Sequence, residues 1–286
     1  MSPVWKLDFI TAHMLQAEAA LELFGATTWA SEKIDNPLET QHDIEGDWRF
    51  GVYFEDKPDL ALLQLPDDAV ATLEPVPPRD WVSQNQQNLP PIVIAPLYLH
   101  GSHDLPRAGS WRNVEMQAGQ AFGSGHHGTT QGCLHLFVDL LKRYTPETIA
   151  DVGCGSGTLA IAAAKLVGSA DGILASDNDP VAVQVTQTNM ARNAVSTRIQ
   201  AFTSLGLRHE AYRGRRFDVI FANIMAGPLV HLAADFEAHV SATGRVILSG
   251  LLNQQARRVK ARYRAAGFRV EQQKVIGAWT SLCLKR

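Results

Sequence analysis

A glycine-rich stretch, DVGCGSGTLA at residues 151–160, has the residue types of a loop that binds a ligand through its backbone. A predicted strand precedes it and a predicted helix follows it, which distinguishes a ligand loop from chance glycines. Gly153 permits a sharp exit from the strand, and Gly155 and Gly157 let a ligand lie against bare backbone at the helix N-terminus. A dinucleotide-binding loop needs glycine at position 158, where this chain has Thr158, and the Walker lysine is also absent. The ligand is therefore of another class.

A carboxylate ends the next predicted strand. Asp177 follows Gly153 by 177 − 153 = 24 residues, close to the roughly 20 residues at which a carboxylate reaches ribose hydroxyls. We therefore predict that Asp177 accepts hydrogen bonds from the 2′- and 3′-hydroxyls of a nucleoside. The dipeptide Asp179-Pro180 instead predicts a helix cap. With Asp151 opening the glycine loop, this arrangement resembles the first two motifs of the class I S-adenosylmethionine-dependent methyltransferases.

Asn223 ends another predicted strand, in the stretch FDVIFANIMAGPL at residues 217–229. In open α/β sheets, ligands bind beyond the carboxyl ends of the strands. The side-chain oxygen of Asn223 and the carbonyl of Ile224 are placed to accept hydrogen bonds from an amino nitrogen and to orient its lone pair for in-line methyl transfer. The alternative is that Asn223 only caps a turn before the helix that Pro228 starts.

A second glycine-rich loop, AFGSGHHGTT at residues 121–130, precedes the first by about twenty residues. Together with Cys133-Leu134, DVGCGSGTLAIAA, ASDNDP and ANIMAGPL, it is similar to the motifs of the bacterial methyltransferases of ribosomal protein L11, the PrmA-type family. The resemblance covers the C-terminal two-thirds of the chain closely. At the N-terminal end it rests on a fold pattern and on Asp80-Trp81.

The resemblance implies trimethylation of lysine side chains and of the α-amine of ribosomal protein L11, with S-adenosylmethionine as the cofactor. From its place at the strand end, we predict that Asn223 is the catalytic residue. The resemblance also implies that the 121–130 loop folds over the cofactor and that Thr129 or Thr130 caps a helix running to about Tyr144. The expected cofactor-binding residues, including those of the glycine loop, are Phe122, Gly123, Thr130, Asp151, Gly153, Gly155, Gly157, Asp177 and Asn223.

This chain departs from the family pattern in the 121–130 loop. It reads SGHHGTT where the family commonly reads TGTHPTT, so Ser124, His126 and Gly128 replace Thr, Thr and Pro. The paired histidines raise the question of a metal, but no third ligand lies at a suitable spacing. We therefore predict no metal, and the resemblance implies that His127 orders the loop.

Residues 1–79 are predicted to form a small α+β domain with the order β-α-β-β-α-β, the ferredoxin-like pattern. The prolines of PVPPRD then mark a linker, which we assign to residues 80–95. The predicted elements are strands at VWKLDF, 26–34, 48–54 and 71–76, a helix from Thr11 to Leu23 ending at Gly25, and a short helix from Pro58 to Leu65.

Residues 96–286 alternate short apolar strands with helices, which predicts a mostly parallel sheet covered on both faces. Seven strands are expected. The last two, Phe268 to Ile276 and Ala278 to Lys285, are joined by too few residues for a crossover helix and must form an antiparallel hairpin at one edge. The fold class is therefore α/β, a Rossmann-like class I methyltransferase domain with an added ferredoxin-like domain.

The net charge of −3 conceals an asymmetry between the two parts of the chain. Residues 1–80 hold 16 acidic against 5 basic residues, a balance of −11, and residues 81–286 hold 13 against 21, a balance of +8. The acidic part either keeps the protein in solution or attracts a basic partner such as a lysine-rich ribosomal protein. We accordingly expect residues 1–79 to recognise the substrate.

No apolar run reaches the roughly 18 residues of a membrane helix, and no signal-peptide pattern opens the chain. We expect a cytoplasmic protein without membrane contact. The three cysteines are isolated, which predicts reduced structural residues rather than a disulfide framework. The basic stretch Ala256 to Arg264 predicts a solvated outer face of a helix that covers the sheet, with a weak contact to ribosomal RNA as the alternative.

Three other functions fit the same motifs. A related enzyme could act on lysines of another protein. A methyltransferase of nucleic-acid amino groups typically has a Pro-Pro-aromatic sequence after the asparagine, where this chain has Ile-Met-Ala. A non-catalytic module could bind S-adenosylmethionine without turnover, and an intact Asn223 weighs against it.

Overall fold

A computed structural model of the chain describes residues 4–13, 17, 20–21, 28–33, 48–54, 57–60, 62–76, 91–102, 104–116, 128–168 and 172–286. The chain divides into two compact units, Met1–Asp80 and Trp81–Arg286. None of the helices in the described ranges is long and apolar enough to cross a membrane.

The N-terminal unit contains a four-stranded antiparallel sheet. Its strands are β1 (Val4–Thr11), β2 (Thr28–Lys33), β3 (Trp48–Phe54) and β4 (Val70–Val76), in the order β2-β3-β1-β4. Alternate residues of β1 and β3 are buried, and Phe9 stacks on its register partner Phe50 with the ring centroids 4.8 Å apart. The segment that links β1 to β2 includes Ala17, Ala20 and Leu21, which are helical and buried. This strand order is that of the predicted ferredoxin-like sheet.

The predicted helix from Pro58 to Leu65 is wrong in the described part of that segment. The chain forms turns there, in which Leu62 N–H donates to the Asp59 carbonyl at 3.0 Å and Leu63 N–H to the Leu60 carbonyl at 3.3 Å. Gln64 has a left-handed φ of 43°, and Pro66 disfavours helical backbone at the residue before it. So short a segment cannot offset the cost of helix nucleation under these constraints.

A small three-stranded sheet opens the described part of the C-terminal unit, and sequence analysis did not anticipate it. Its strands are β5 (Ile92–Ile94), β6 (Leu97–His100) and β7 (Arg112–Glu115). β5 pairs with β6 antiparallel, and β6 pairs with β7 parallel. Their buried aliphatic side chains join the hydrophobic cluster on one face of the large sheet.

A seven-stranded sheet forms the centre of the C-terminal unit. Its strands are β8 (Ile149–Val152), β9 (Ile173–Asp177), β10 (Ile199–Thr203), β11 (Phe217–Asn223), β12 (Val240–Leu252), β13 (Arg269–Ile276) and β14 (Trp279–Lys285). The order is β10-β9-β8-β11-β12-β14-β13. The pairs from β10 to β12 are parallel, and β14 is antiparallel to both β12 and β13. The predicted parallel sheet with an antiparallel edge hairpin is confirmed.

Helices cover both faces of this sheet. They are α1 (Gly128–Leu141), α2 (Thr158–Leu166), α3 (Pro180–Arg192), α4 (Ala226–His239) and α5 (Ala256–Ala265), with a short 3-10 helix at Glu210–Tyr212. Along β11, Val219 and Phe221 join the cluster that includes α1 and α2, while Ile220 and Ala222 join the cluster that includes α4 and α5. Because successive strand residues face opposite sides, a run of apolar residues supplies both cores.

Helix α5 presents the predicted solvated basic face. Val259 and Tyr263 are buried in the core, whereas Arg257, Arg258 and Arg264 are exposed. The apolar stripe of this helix therefore covers the sheet, and its charges face solvent.

A carboxylate with three cations around it ties the edge hairpin to β12. Glu271 on β13, 16% exposed at its side chain, accepts from Arg245 Nε at 2.8 Å and from Arg245 Nη2 at 3.2 Å. Arg143 lies 3.6 Å and Lys285 4.0 Å from the same carboxylate. The hydrogen bond from Arg245 is the main reason that the pKa of Glu271 lies below its ordinary value.

We expect Glu271→Gln to lower the free energy of unfolding at pH 7 by about 1–3 kcal/mol, because charge-assisted hydrogen bonds are lost. Since the folded pKa of Glu271 is depressed, this stabilisation is present above the unfolded pKa and disappears as the pH falls through the folded pKa. Urea unfolding of wild type and variant between pH 7 and pH 2 measures both effects, because this range passes below the depressed folded pKa. The control is Asp139→Asn, which removes an exposed ion pair with Lys142 and should cost at most about 1 kcal/mol. Equal losses in the two variants would contradict this account.

Candidate active site at the carboxyl edge of the sheet

The glycine-rich turn between β8 and α2 adopts a backbone that favours glycine. Gly153, Gly155 and Gly157 have φ values of 74°, 55° and 80°, in the left-handed region. The N–H groups of Gly153 and Cys154 both donate to the carbonyl of Ser176 on β9, at 2.8 and 2.9 Å. The turn is thus fixed to the neighbouring strand, and Gly157 is the N-cap residue of α2, which therefore has no side-chain cap.

Asp177 connects this turn to the end of β9. Its Oδ2 accepts from the N–H of Gly155 at 2.9 Å and its Oδ1 from the N–H of Asp179 at 3.0 Å. The side chain is half-buried. Since a carboxylate has about four acceptor positions, these two bonds orient the group and leave capacity for further donors. Asp179 accepts from Val181 N–H at 2.8 Å and caps α3, which confirms the predicted cap.

Asp151 lies beneath the turn and is only 1% exposed. Its Oδ2 accepts from the N–H of Ala160 at 3.1 Å, while Oδ1 has no hydrogen-bond partner among the described residues. Burial raises the pKa of Asp151 to about 7, against the opposing effect of the Ala160 hydrogen bond, and the charge of Asp177 raises it further. The observed contact of Asp151 therefore braces the first turn of α2 against β8.

Asn223 lies at the carboxyl end of β11, half-buried. Its Nδ2 donates to Thr130 Oγ1 at 3.2 Å, across 93 residues of sequence. Because the amide nitrogen of Asn223 donates to Thr130, its side-chain oxygen is left to accept a hydrogen bond from a ligand. The structure thus brings together two residues predicted for one pocket.

The prediction that Thr129 or Thr130 caps helix α1 is wrong. The helix begins at Gly128, so both threonines lie inside its first turn and are buried. A cap residue lies outside the helical backbone, and Gly128 is already helical. The Thr130 hydroxyl instead accepts the hydrogen bond of Asn223.

Two glycines enclose Ile224, the residue after Asn223. A Cβ on Gly153 would lie closer than 3.0 Å to Cγ2 of Ile224, and one on Gly250 would lie 2.7 Å from its carbonyl carbon. Gly250 also has a φ of 82°. Sequence reasoning missed the role of Gly250. Its one signal was a glycine at the end of the apolar stretch GRVILSG.

Several predicted residues fall outside the described part of the chain. These are Phe122, Gly123, His126 and His127 of the 121–130 loop. Within the ranges that the structure does describe, no group of three or more His, Cys, Asp and Glu side chains forms a metal-binding arrangement. The three cysteines are all buried and unpaired by disulfides.

Comparison with known proteins extends the match beyond the motifs. The model of a family described as ribosomal protein L11 methyltransferase (PrmA) matches residues 11–286. The chain belongs to this family. A ribosomal protein L11 methyltransferase of Bradyrhizobium diazoefficiens is 39% identical over 252 residues, 85% of each chain. One from Rhizobium rhizogenes is 35% identical over 290 residues, covering 97% of this chain and 98% of its own.

A solved structure supports the same membership of the PrmA family. The ribosomal protein L11 methylase of Lactobacillus delbrueckii subsp. bulgaricus superposes with a TM-score of 0.59 at 29% sequence identity, covering 68% of this chain and 96% of its own. The predicted family resemblance and the class I methyltransferase fold are therefore confirmed.

We expect Gly250→Ala to destabilise the protein more than Gly267→Ala. Both glycines have positive φ values, 82° and 91°, but nothing lies within 4 Å of a Cβ on Gly267. Backbone strain should cost both variants about 1–2 kcal/mol, and overlap with Ile224 should cost Gly250→Ala about 1–3 kcal/mol more. Urea unfolding of the full chain measures the difference. Equal destabilisation would show that Ile224 is not confined by Gly250.

We expect Asp151→Asn to gain stability relative to wild type as the pH rises. The folded pKa of Asp151, about 7, exceeds its ordinary value of 3.8, so between these values the folded state binds more protons and wild-type stability falls with rising pH. Asparagine has no such loss, and its carbonyl still accepts from Ala160. Melting temperatures of both proteins at pH 5 and pH 8 test this. A difference that is constant, or that shrinks with rising pH, would contradict it.

Proposed function

We propose that this protein transfers methyl groups from S-adenosylmethionine to lysine side chains and the α-amino group of ribosomal protein L11. Its membership of the PrmA family and the names of its relatives support this substrate. The observation that carries the chemistry is Asn223, held by Thr130 at the edge where the glycine turn and Asp177 meet. Because the substrate is a ribosomal protein, we place the reaction in the cytoplasm.

The residues of the turn fit this cofactor. Helix α2 follows Gly157 and has no side-chain cap, and such an N-terminus suits the carboxylate of an amino-acid ligand. Asp177, oriented by two backbone N–H groups, suits ribose hydroxyls. We propose that these two groups bind the cofactor together with Phe122, Gly123 and the other predicted positions. When bound, S-adenosylmethionine supplies an activated methyl group with a neutral thioether as the leaving group.

Asn223 would orient the attacking amine. A lysine amine has a pKa near ~10.4 and must lose a proton before it can attack. We propose that partial desolvation lowers this pKa, that water takes the proton, and that Asn223 Oδ1 and the Ile224 carbonyl accept the remaining N–H groups. Thr130 fixes the amide from one side, and Gly250 confines the Ile224 carbonyl from the other.

We propose that residues 1–79 form a substrate-recognition domain, joined by the linker 80–95 to the methyltransferase domain 96–286. The net charge of −11 in residues 1–80 would attract a lysine-rich protein. This unit also has an open groove of about 670 Å³ lined by Trp5, Lys57, Pro58, Asp59, Leu60 and Leu73. Exposed Leu62 and Val70 add apolar surface to the same unit. Association should weaken as salt rises.

The decisive test is incubation with labelled S-adenosylmethionine and either purified ribosomal protein L11 or ribosomal RNA. We expect label on the protein. At saturating cofactor, Asn223→Ala should lower kcat by about 100-fold or more, because the amine loses its orientation. Gln254→Ala, which removes an exposed amide, is the control and should retain wild-type turnover. Label on RNA alone would overturn the protein substrate, and full turnover by Asn223→Ala would overturn the role of Asn223.

A further inference from the structure

Two serine hydroxyls meet inside the sheet next to the candidate active site. Ser249 on β12 and Ser281 on β14 are 0% and 1% exposed, and their Oγ atoms lie 2.6 Å apart. Ser249 is also the register partner of Asn223 on β11. Buried hydroxyls in an apolar layer are costly unless paired, so this pair fixes the positions of both side chains.

Helix α1 rests directly on this pair. A Cβ on Gly132 would lie closer than 3.0 Å to Ser281 Oγ and 2.9 Å from Ser281 Cβ. At the start of the helix, a Cβ on Gly128 would lie 3.3 Å from Cδ1 of Trp279. The absence of a side chain at position 132 therefore sets how deeply the helix lies on β14.

The depth of the helix determines the position of Thr130. Thr130 and Gly132 are two residues apart in the N-terminal part of α1, so a shift of the helix away from Ser281 also moves the Thr130 hydroxyl. That hydroxyl holds the Asn223 amide at 3.2 Å, a distance that leaves little room for further lengthening. The edge hairpin is thereby linked to the residue that orients the amine.

We propose that Ser281 is a positioning residue, which through its contact with Gly132 holds Thr130 against Asn223. This inference rests on the proposed function for its effect on turnover. The contact between Ser281 and Gly132 and its effect on the position of Thr130 do not depend on which molecule accepts the methyl group. Ser281 touches neither substrate nor cofactor in this account and acts only through helix α1.

A size exchange between positions 132 and 281 tests the contact. In ligand-free Gly132→Ala, amide hydrogen exchange should accelerate in residues 128–141 and stay unchanged in residues 158–166. The kcat of this variant should fall about 10- to 100-fold, because an ångström-scale shift of Thr130 would misplace Asn223. Adding Ser281→Gly removes both opposing atoms, so the methyl group of Ala at position 132 occupies the space they leave, and exchange and kcat should return to within about threefold of wild type. Gly168→Ala, with nothing within 4 Å of its Cβ, is the control and should match wild type.

A second series separates positioning from general stability. In a Thr130→Val background the Asn223 contact is already lost, so Gly132→Ala should lower kcat no further. Ser281→Ala keeps Cβ and loses only the hydroxyl. It should lower kcat severalfold in the wild-type background and leave kcat unchanged in the Thr130→Val background. This variant replaces Gly132→Ala in the test if Gly132→Ala does not fold. Additive losses in the Thr130→Val background, or unchanged exchange in residues 128–141 of folded Gly132→Ala, would overturn the proposal. Failure of methylation alone, with the exchange pattern as expected, would count against the proposed function instead.

Discussion

Ile224 is confined by two glycines, its side chain by Gly153 and its backbone by Gly250, and the geometry of the candidate site depends on this confinement. Gly153 at the end of β8 and Gly250 at the end of β12 both approach Ile224 so closely that neither position has room for a Cβ. Three adjacent strands therefore converge at one point. Asn223, the residue before Ile224, takes its position from this convergence rather than from its own loop, and rigid strand ends place a side chain more precisely than a free loop does.

The polar groups around this point come from six elements, namely β8, β9, β11, β12, β14 and helix α1. Asp177 of β9 accepts from the N–H of Gly155, and Asp151 of β8 accepts from the N–H of Ala160. Thr130 of helix α1 accepts from the Asn223 amide. The serine pair of β12 and β14 then supports α1 from below. Each contact joins two different parts of the fold, so the site depends on how β8, β9, β11, β12 and β14 are arranged in the sheet.

Sequence reasoning succeeded where the signal was local. The glycine turn, the cap at Asp179 and the seven strands each follow from a pattern within about a dozen residues. It failed where the fold imposed a contact from elsewhere, because the predicted cap at Thr129 or Thr130 lies inside the helix, where the Thr130 hydroxyl binds Asn223. The roles of Gly132, Gly250 and Ser281 depend on strand order, which the sequence does not display. The three strands between 92 and 115 are three or four residues long, too short for a periodic signal.

The central claim is that the glycine turn and Asp177 together bind a sulfonium nucleoside. Titration calorimetry of the full chain with S-adenosylhomocysteine, and in parallel with a nicotinamide dinucleotide, tests this most directly. The account predicts one-to-one binding of S-adenosylhomocysteine and no heat from the dinucleotide. Binding of the dinucleotide without any heat from S-adenosylhomocysteine would contradict it.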